Sequence, residues 1–310
     1  MTLRPASLDD LRSALAKADA NGQHVDAVDL GALARVREHT PEDMTVTVEA
    51  GMTVAALQAQ VAKAGQWLPI DPPNPGRVTV GELLDENLSG PRRFGCGTVR
   101  EHLLGIGVVL ADGRLIHAGG KVVKNVAGYD LCKLFVGARG TLGVIVEATF
   151  KLRPLPEAEL FVQARCDSLN EAARQIEQVL DSPLTPVVLD LHRAEQGPST
   201  LVLGFAGTRE EVEWQRARAA ELGITEPGNL AHEIAFWSGA GARRKLCAAP
   251  SKLVESIRSL GDVPFVARAG NGVIHYRGGA EPLRSELPVE LFRRVKDAYD
   301  PRRVFPDLNL

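Results

Sequence analysis

Glycine is concentrated between residues 90 and 143, and this concentration restricts the folds open to the chain. The segment holds 12 glycines in 54 residues, against 30 in the whole chain of 310. Glycines clustered in loops let a backbone approach a ligand closely or adopt positive φ. The β-branched run "TLGVIVEATFKL" (141–152) follows directly and is typical of a buried strand. We therefore expect glycine loops that form a binding wall and lead into a sheet.

Length and composition predict two domains and exclude some classes of partner. A chain of 310 residues suggests about two domains of roughly 150 residues each. The stretch "RPLPEAE" (153–159), with two prolines and two glutamates, predicts the boundary, giving domains 1–155 and 156–310. A net charge of −3 gives no electrostatic case for nucleic acid or an anionic membrane. No apolar run reaches the roughly 18 residues of a transmembrane helix, and the first residues lack the apolar core of a signal peptide. We expect a cytoplasmic protein.

Motifs for several common cofactors are missing from the sequence. The four cysteines are far apart and form no CxxC pair, so neither zinc nor an iron–sulfur cluster is supported, and the seven histidines show no metal spacing. We expect no metal. The chain also lacks a GxGxxG after a strand, a GxxxxGK[ST] loop and a GxSxG motif. A Rossmann domain, a P-loop and a serine hydrolase are therefore not indicated.

Hydrophobic periodicity predicts a mixed α+β fold. In the first half, Ser7 and Gly22 bound a helix, Thr53 caps another, and Asp112-Gly113 joins two strands as a hairpin. The second half begins with the predicted order β-α-β-β-α, which suggests a ferredoxin-like layer or a fold close to it. Its predicted elements are a strand at 159–166, a helix at 169–181, strands at 185–192 and 199–206, a helix at 208–222, a helix at 250–260, strands within 263–277 and a last helix at 288–299.

Three blocks of the middle region carry a family resemblance. They are "GQWLPIDPP" (65–73), "LSGPRRFGCGTVREHLLG" (88–105) and "KNVAGYDLCKLFVGARGTLGVI" (124–145), in that order. Together they resemble the FAD-binding PCMH-type domain of the vanillyl-alcohol-oxidase-like flavoproteins, specifically over about 65–155. The E subunit of bacterial glycolate oxidase is the most similar member, and the D subunit shares the third block. The resemblance implies an FAD-binding domain followed by a ferredoxin-like cap domain.

The resemblance also implies the residues of the site. Backbone donors and an apolar slot are what a flavin needs. Tyr129 and Asp130 would open a helix-like segment that braces the cofactor wall, although Asp130 is equally suited to be a helix cap. For substrate chemistry, Arg92 or Arg93 is a candidate clamp for a carboxylate, and His102 or His117 a candidate base. The residues implied to line the cofactor are Pro72, Gly81, Asn87, Ser89, Gly90, Thr98, Val99, Arg100, Gly140, Gly143, Val144 and Ile145.

The sequence departs from the family pattern where the cofactor's diphosphate should bind. About 20 residues that would carry the early pyrophosphate loop are missing after "AKADANGQ", together with the histidine position used for covalent flavin. Any FAD is therefore expected to be non-covalent. Glu82, Asp85 and Glu86 would also lie near an anionic cofactor, and the family's closing NPG is replaced by Pro306-Asp307-Leu308-Asn309.

Two functions remain open from the sequence. In the first, the chain is an FAD-dependent subunit that oxidises a small 2-hydroxy acid by hydride transfer to the flavin. Its partners would be a D-type flavoprotein subunit and an iron–sulfur subunit. In the second, the chain is a non-catalytic scaffold that has kept the fold but has weakened or lost FAD binding. The missing loop favours the scaffold, whereas the preserved 87–145 region favours the enzyme.

Overall fold

The chain forms two compact units. The computed structural model describes residues 1–120, 130–195, 197–279 and 288–307. The first unit comprises Met1–Ser89, Thr98–Leu155 and Ser285–Leu310, and the second comprises Gly90–Gly97 and Pro156–Arg284. The division expected from the sequence was 1–155 and 156–310. The compact units instead group 90–97 with the second unit and the closing segment with the first.

The elements up to residue 155 are short strands with helices between them. In chain order they are β1 (Thr2–Leu3), α1 (Leu8–Asn21), β2 (Ala27–Val28), β3 (Val36–Thr40), the 3-10 helix Pro41–Asp43, β4 (Thr45–Glu49), α2 (Val54–Ala62), β5 (Gln66–Trp67), α3 (Val80–Asp85), α4 (Arg93–Cys96), α5 (Val99–His102), β6 (Leu103–Val109), β7 (Leu115–Gly119), α6 (Cys132–Phe135), β8 (Val144–Lys151) and β9 (Arg153–Pro154).

The elements after residue 155 continue in chain order. They are β10 (Ala158–Cys166), α7 (Leu169–Leu180), β11 (Val188–Arg193), β12 (Ser199–Gly207), α8 (Arg209–Glu221), β13 (Glu226–Pro227), α9 (Ala231–Ser238), β14 (Arg243–Cys247), the 3-10 helix Pro250–Lys252, α10 (Leu253–Ser259), β15 (Phe265–Arg268), β16 (Val273–Arg277) and α11 (Val289–Tyr299).

A five-stranded antiparallel sheet organises the first unit, in the order β3-β4-β8-β6-β7. β8 lies at its centre, and its apolar side chains are buried on both faces. One core contains Val48, Leu57 and Phe150, and Tyr299 of α11 packs against it. The closing helix is therefore part of the first unit.

Local sequence signals set several of these boundaries. Ser7 Oγ accepts the Asp10 N–H at 3.1 Å, and Gly22 ends α1 at φ 62°. Thr53 Oγ1 accepts the Ala56 N–H at 3.2 Å and begins α2. The predicted hairpin is also confirmed, because β6 pairs with β7 and Gly113 adopts φ 80°.

The second unit contains a seven-stranded antiparallel sheet, ordered β13-β10-β12-β11-β15-β16-β14. From residue 158 onward the elements run β10-α7-β11-β12-α8-β13, so the predicted β-α-β-β-α order is confirmed, and β13 follows it as a further strand. The strand order β13-β10-β12-β11 is that of a ferredoxin-like layer. The two-domain α+β fold expected from the sequence is therefore the fold observed. Within the described ranges, no helix is both long and apolar enough to cross a membrane.

Replacement of Phe150 by Ala tests the core of the first unit. Phe150 is 0% exposed at the centre of the sheet. Phe150→Ala should lower the free energy of unfolding by about 3–5 kcal/mol, since it removes buried contacts and leaves a cavity. Phe292→Ala is the matched control, because Phe292 is 38% exposed and should change the value by no more than about 0.5 kcal/mol. Urea unfolding followed by circular dichroism measures both, and equal losses would contradict this packing.

Candidate functional site

A cavity of about 380 Å³ in the first unit brings together five residues that the sequence placed at the cofactor. Segments distant in sequence line it: 25–31, the region of α3, the loop 139–145, and Phe305 with Pro306 of the tail. The five predicted residues among its lining are Gly81, Gly140, Gly143, Val144 and Ile145.

Gly143 and Gly81 place the cavity wall directly against the sheet. A Cβ on Gly143 would lie 2.7 Å from Val108 Cγ1 and 3.1 Å from the Val109 carbonyl oxygen. On the opposite side, the Gly81 N–H donates to the Ala50 carbonyl oxygen at 2.8 Å. A Cβ on Gly81 would lie 3.3 Å from that oxygen. The absence of side chains at these two positions lets the loop and α3 pack closely on the strands.

Gly140 has a different environment. It adopts φ +67°, and within the described part of the chain the one atom that a Cβ would meet within 4 Å is Asp85 Oδ2, at 4.0 Å. The Gly140 N–H donates to the Asp85 carboxylate. The neighbouring Arg139 N–H donates to the Asp85 carbonyl oxygen at 2.9 Å, and Gly137 N–H to Leu84 at 2.9 Å. The loop is thus fixed to the end of α3, with Gly140 beside open space.

Asp85 dominates the electrostatics of this cavity. Burial raises the pKa of Asp85 to about 7; the Gly140 N–H opposes this shift, and the charge of Glu86 adds to it. Four more carboxylates line the cavity, but they are exposed, so solvent screens them: Asp26, Asp29, Glu82 and Glu86. Among the described lining residues the one basic side chain is Arg139, whose Nε lies 3.3 Å from Glu86 Oε2.

Seven predicted cofactor residues do not line this cavity. Val99 is fully buried in the core, and Pro72 is buried. The Thr98 N–H donates to Glu101 Oε2 at 3.1 Å. Asn87 is exposed at φ 49°. Their contact with a cofactor stays a prediction, as it does for Ser89, Gly90 and Arg100.

The bracing segment is described only from Asp130. Tyr129 lies outside the described residues. The Asp130 carboxylate accepts hydrogen bonds from Arg100, which also donates to the Leu103 carbonyl oxygen at 2.9 Å. Arg100 lowers the pKa of Asp130 by hydrogen bonding and charge, although partial burial opposes this shift. This pair fixes the start of the α6 segment on α5.

The candidates for substrate chemistry are also absent from the described residues that line this cavity. In the second unit, Arg92 donates to Glu159 Oε1 from Nε at 3.0 Å and from Nη2 at 2.6 Å. A carboxylate of the chain itself therefore holds Arg92. His102 is 3% exposed at the end of α5, and Arg93 is half-buried at the start of α4. Their roles stay predictions.

The second unit contains a buried polar cluster that the sequence did not indicate. Asp190, His232 and Glu233 place one potential ligand atom each within 4.8 Å of the others. Arg268 donates to Asp190 at 2.5 Å and to Glu233 at 2.7 Å, so a guanidinium of the chain is already paired with both carboxylates. His192 stacks on His232 at 4.3 Å, and burial lowers the pKa of His192 to about 3. We interpret the cluster as structural.

Comparisons with known proteins agree with the fold and identify the family. The family described as "FAD binding domain" matches residues 26–119. Glycolate oxidase subunit GlcE of Escherichia coli is 30% identical over 295 residues, covering 86% of this chain and 82% of that protein. Glycolate oxidase subunit GlcD of Bacillus subtilis is 36% identical over 156 residues, covering 50% of this chain and 33% of GlcD. The chain therefore spans about a third of that relative.

Two further comparisons extend the relationship. A probable mitochondrial D-lactate dehydrogenase of Danio rerio is 37% identical over 144 residues, covering 46% of this chain and 29% of that protein. The solved structure of an alkyldihydroxyacetonephosphate synthase has a TM-score of 0.74 at 15% identity. It covers 100% of this chain and 77% of that structure, and at this identity it supports the fold alone.

The family match and the similarity to GlcE define a class of FAD-binding proteins. Within it, the chain belongs to the family of PCMH-type FAD-binding oxidoreductases that includes glycolate oxidase subunit GlcE. The resemblance stated from the sequence is confirmed, and FAD is the cofactor that the family indicates.

The cavity residues fit the uncharged parts of FAD better than its diphosphate. Gly140 leaves room for a ligand, and Val144 and Ile145 supply an apolar wall. For the diphosphate, carboxylates outnumber the single guanidinium, which is already paired with Glu86. The cavity therefore holds an anionic ligand best when Asp85 is protonated.

The affinity for FAD should consequently depend on pH through Asp85. As the pH rises from 6 to 8, Asp85 ionises and repels the diphosphate, whose own charge does not change. FAD affinity should fall by about tenfold, the scale of one like-charge contact near a protein surface. Asp85→Asn should remove most of this dependence in titrations followed by flavin fluorescence. Glu82→Gln, at an exposed carboxylate of the same cavity, is the control, and an unaltered pH profile in Asp85→Asn would refute this role.

Alanine at the two loop glycines should have different consequences. Gly143→Ala should lower the free energy of unfolding of the cofactor-free chain by about 1–3 kcal/mol, because its Cβ would overlap Val108. Gly140→Ala should cost about 1–2 kcal/mol for its positive φ, and its Cβ should lower FAD occupancy. Thermal unfolding and bound flavin per chain measure both effects. Full occupancy in Gly140→Ala would contradict the placement of the cofactor.

Proposed function

We propose that the chain is an FAD-binding oxidoreductase subunit of a glycolate-oxidase-like complex that oxidises a small 2-hydroxy acid. One observation carries the proposal: Gly81, Gly140 and Gly143–Ile145, distant in sequence, line a single cavity in a chain that is 30% identical to GlcE over 86% of its length. The relatives support the substrate class, because they are named glycolate oxidase subunits, D-lactate dehydrogenases and D-2-hydroxyglutarate dehydrogenases.

FAD would supply the oxidation by accepting a hydride from the carbon that bears the substrate hydroxyl. The residues of this chain would bind and orient the two molecules. Gly140 would let the cofactor lie against the backbone, while Val144 and Ile145 would exclude water from that side. Arg92 and Arg93 remain the candidates for the substrate carboxylate, and Arg92 is held by Glu159 in the structure.

The proposed partners are a D-type flavoprotein subunit and an iron–sulfur subunit. The names of two relatives as glycolate oxidase subunits support a multi-subunit assembly. Electrons would pass from the flavin to the iron–sulfur subunit. A cytoplasmic location belongs to the same proposal, because all four cysteines are free thiols, as expected in a reducing compartment.

A non-catalytic scaffold is the second candidate function, and the charge of the cavity favours it. The segment 25–31 contributes two carboxylates, Asp26 and Asp29, to the lining of the cavity, and it follows the point at which the sequence lacks the family's pyrophosphate loop. Each diphosphate hydrogen bond left unmade would cost roughly 1–3 kcal/mol. If that cost exceeds the binding free energy that the glycine wall contributes, FAD would not stay bound. The chain would then act by docking to a catalytic flavoprotein.

The flavin content of the isolated chain should decide between these functions. The first predicts absorption bands near about 370 and 450 nm, as for flavins generally, at close to one flavin per chain after gel filtration with added FAD. The measurement should be repeated at pH 6 and pH 8, because ionised Asp85 could empty the cavity at the higher value. A folded, colourless chain at both pH values that still co-purifies with a D-type flavoprotein would support the scaffold instead.

A further inference from the structure

The ammonium group of Lys296 is buried in the first unit and surrounded by acceptors. Lys296 lies on α11 and is 6% exposed. Its Nζ donates to Asp300 Oδ2 at 2.7 Å and to the carbonyl oxygens of Thr141, Phe305 and Pro306 at 2.7, 2.9 and 2.9 Å. The three N–H groups of the ammonium thus donate to four acceptors, which belong to the residue that ends α11, to the tail and to the loop before β8.

Asp300 completes this arrangement. It is 0% exposed, and its Oδ1 accepts the Val304 N–H at 2.8 Å while its Oδ2 accepts the Phe305 N–H at 2.8 Å. The tail therefore folds around the buried ion pair of Lys296 and Asp300. Main-chain groups form the other hydrogen bonds of both side chains. Removing either charge would leave the other one buried without its partner.

The two segments that Lys296 joins, the glycine loop and the tail, both contribute lining residues to the candidate cofactor cavity. Thr141 lies between Gly140 and Gly143, which line the cavity from the loop side. Phe305 and Pro306 line it from the tail side. Lys296 itself is absent from the lining residues, so it would act through the segments that it holds.

We propose that Lys296 is a positioning residue of the cofactor cavity, which joins the glycine loop and the C-terminal tail into one rigid wall. The identity of the ligand rests on the proposed function, whereas the joining of the two segments does not. An ammonium suits this role better than a guanidinium, because its three N–H groups radiate from one nitrogen towards acceptors on several sides. The donors of Arg lie in one plane and cannot reach acceptors that surround a single point.

Hydrogen exchange with and without FAD tests the proposal on the full chain. Lys296→Met keeps much of the side-chain length and removes the charge. Without ligand, it should speed exchange at 304–305 and at 142–145 together by at least about tenfold, as expected if about 1.4 kcal/mol of local stability is lost. The strand 201–205 of the second unit should keep its wild-type exchange. The dissociation constant for FAD, from flavin fluorescence, should rise by a similar factor.

Lys63→Met is the matched control, since Lys63 is an exposed lysine of the same unit whose Nζ donates to Gln60. It should leave both exchange and FAD affinity unchanged. Unchanged exchange at 142–145 in Lys296→Met would overturn the proposal, and so would an unchanged dissociation constant in a chain that binds FAD. If the wild type binds no FAD at all, the proposed function fails, while exchange at the two segments still decides the inference.

Lys296→Arg covers the case in which Lys296→Met does not fold. It keeps the positive charge for Asp300 but cannot serve four convergent acceptors. The proposal expects joint loosening of 142–145 and 304–305 in this variant as well. Wild-type exchange at both segments in Lys296→Arg would overturn the proposal, because charge alone would then hold the wall.

Discussion

The close contact between Gly143 and Val108 determines where a ligand can bind in the first unit. A Cβ at this position would lie 2.7 Å from Val108 Cγ1, so the chain enters β8 pressed against β6. The preceding loop is consequently held at the end of the central strand, where Gly137 and Arg139 donate to the last carbonyl groups of α3. The tail then closes the other side of the cavity through Lys296 and Asp300. The cavity is thus a consequence of strand packing, and its glycines are required before any ligand arrives.

Two opposing effects decide how well this cavity suits FAD. Gly140 and the apolar start of β8 favour close approach of the uncharged rings and sugar chain. The carboxylates oppose the diphosphate, but unequally: the exposed ones are screened by solvent, whereas Asp85 is partly buried. Its raised pKa leaves it largely neutral below about 7. We therefore expect the protonation of Asp85 to influence how well this cavity accommodates the diphosphate of FAD.

Sequence reasoning predicted the features that depend on neighbouring residues. The caps at Ser7 and Gly22, the hairpin at Gly113 and the β-α-β-β-α order all follow from local patterns, whereas the short strand β13 was not predicted. Contacts between distant residues left no such pattern. Lys296 and Thr141 are 155 positions apart, and Arg92 and Glu159 are 67 apart. The glycine motif indicated one wall of the cavity, Gly140–Ile145, but neither the tail that faces it nor the burial of Asp85 could be read from spacing.

A crystal structure of the chain grown with FAD at pH 6 tests the central claim most directly. The account predicts flavin dinucleotide density in the first unit, with part of the cofactor against Gly81 and Gly140–Ile145 and with Phe305 and Pro306 beside it. Density for FAD elsewhere, with this cavity closed by side chains of the protein, would contradict the account.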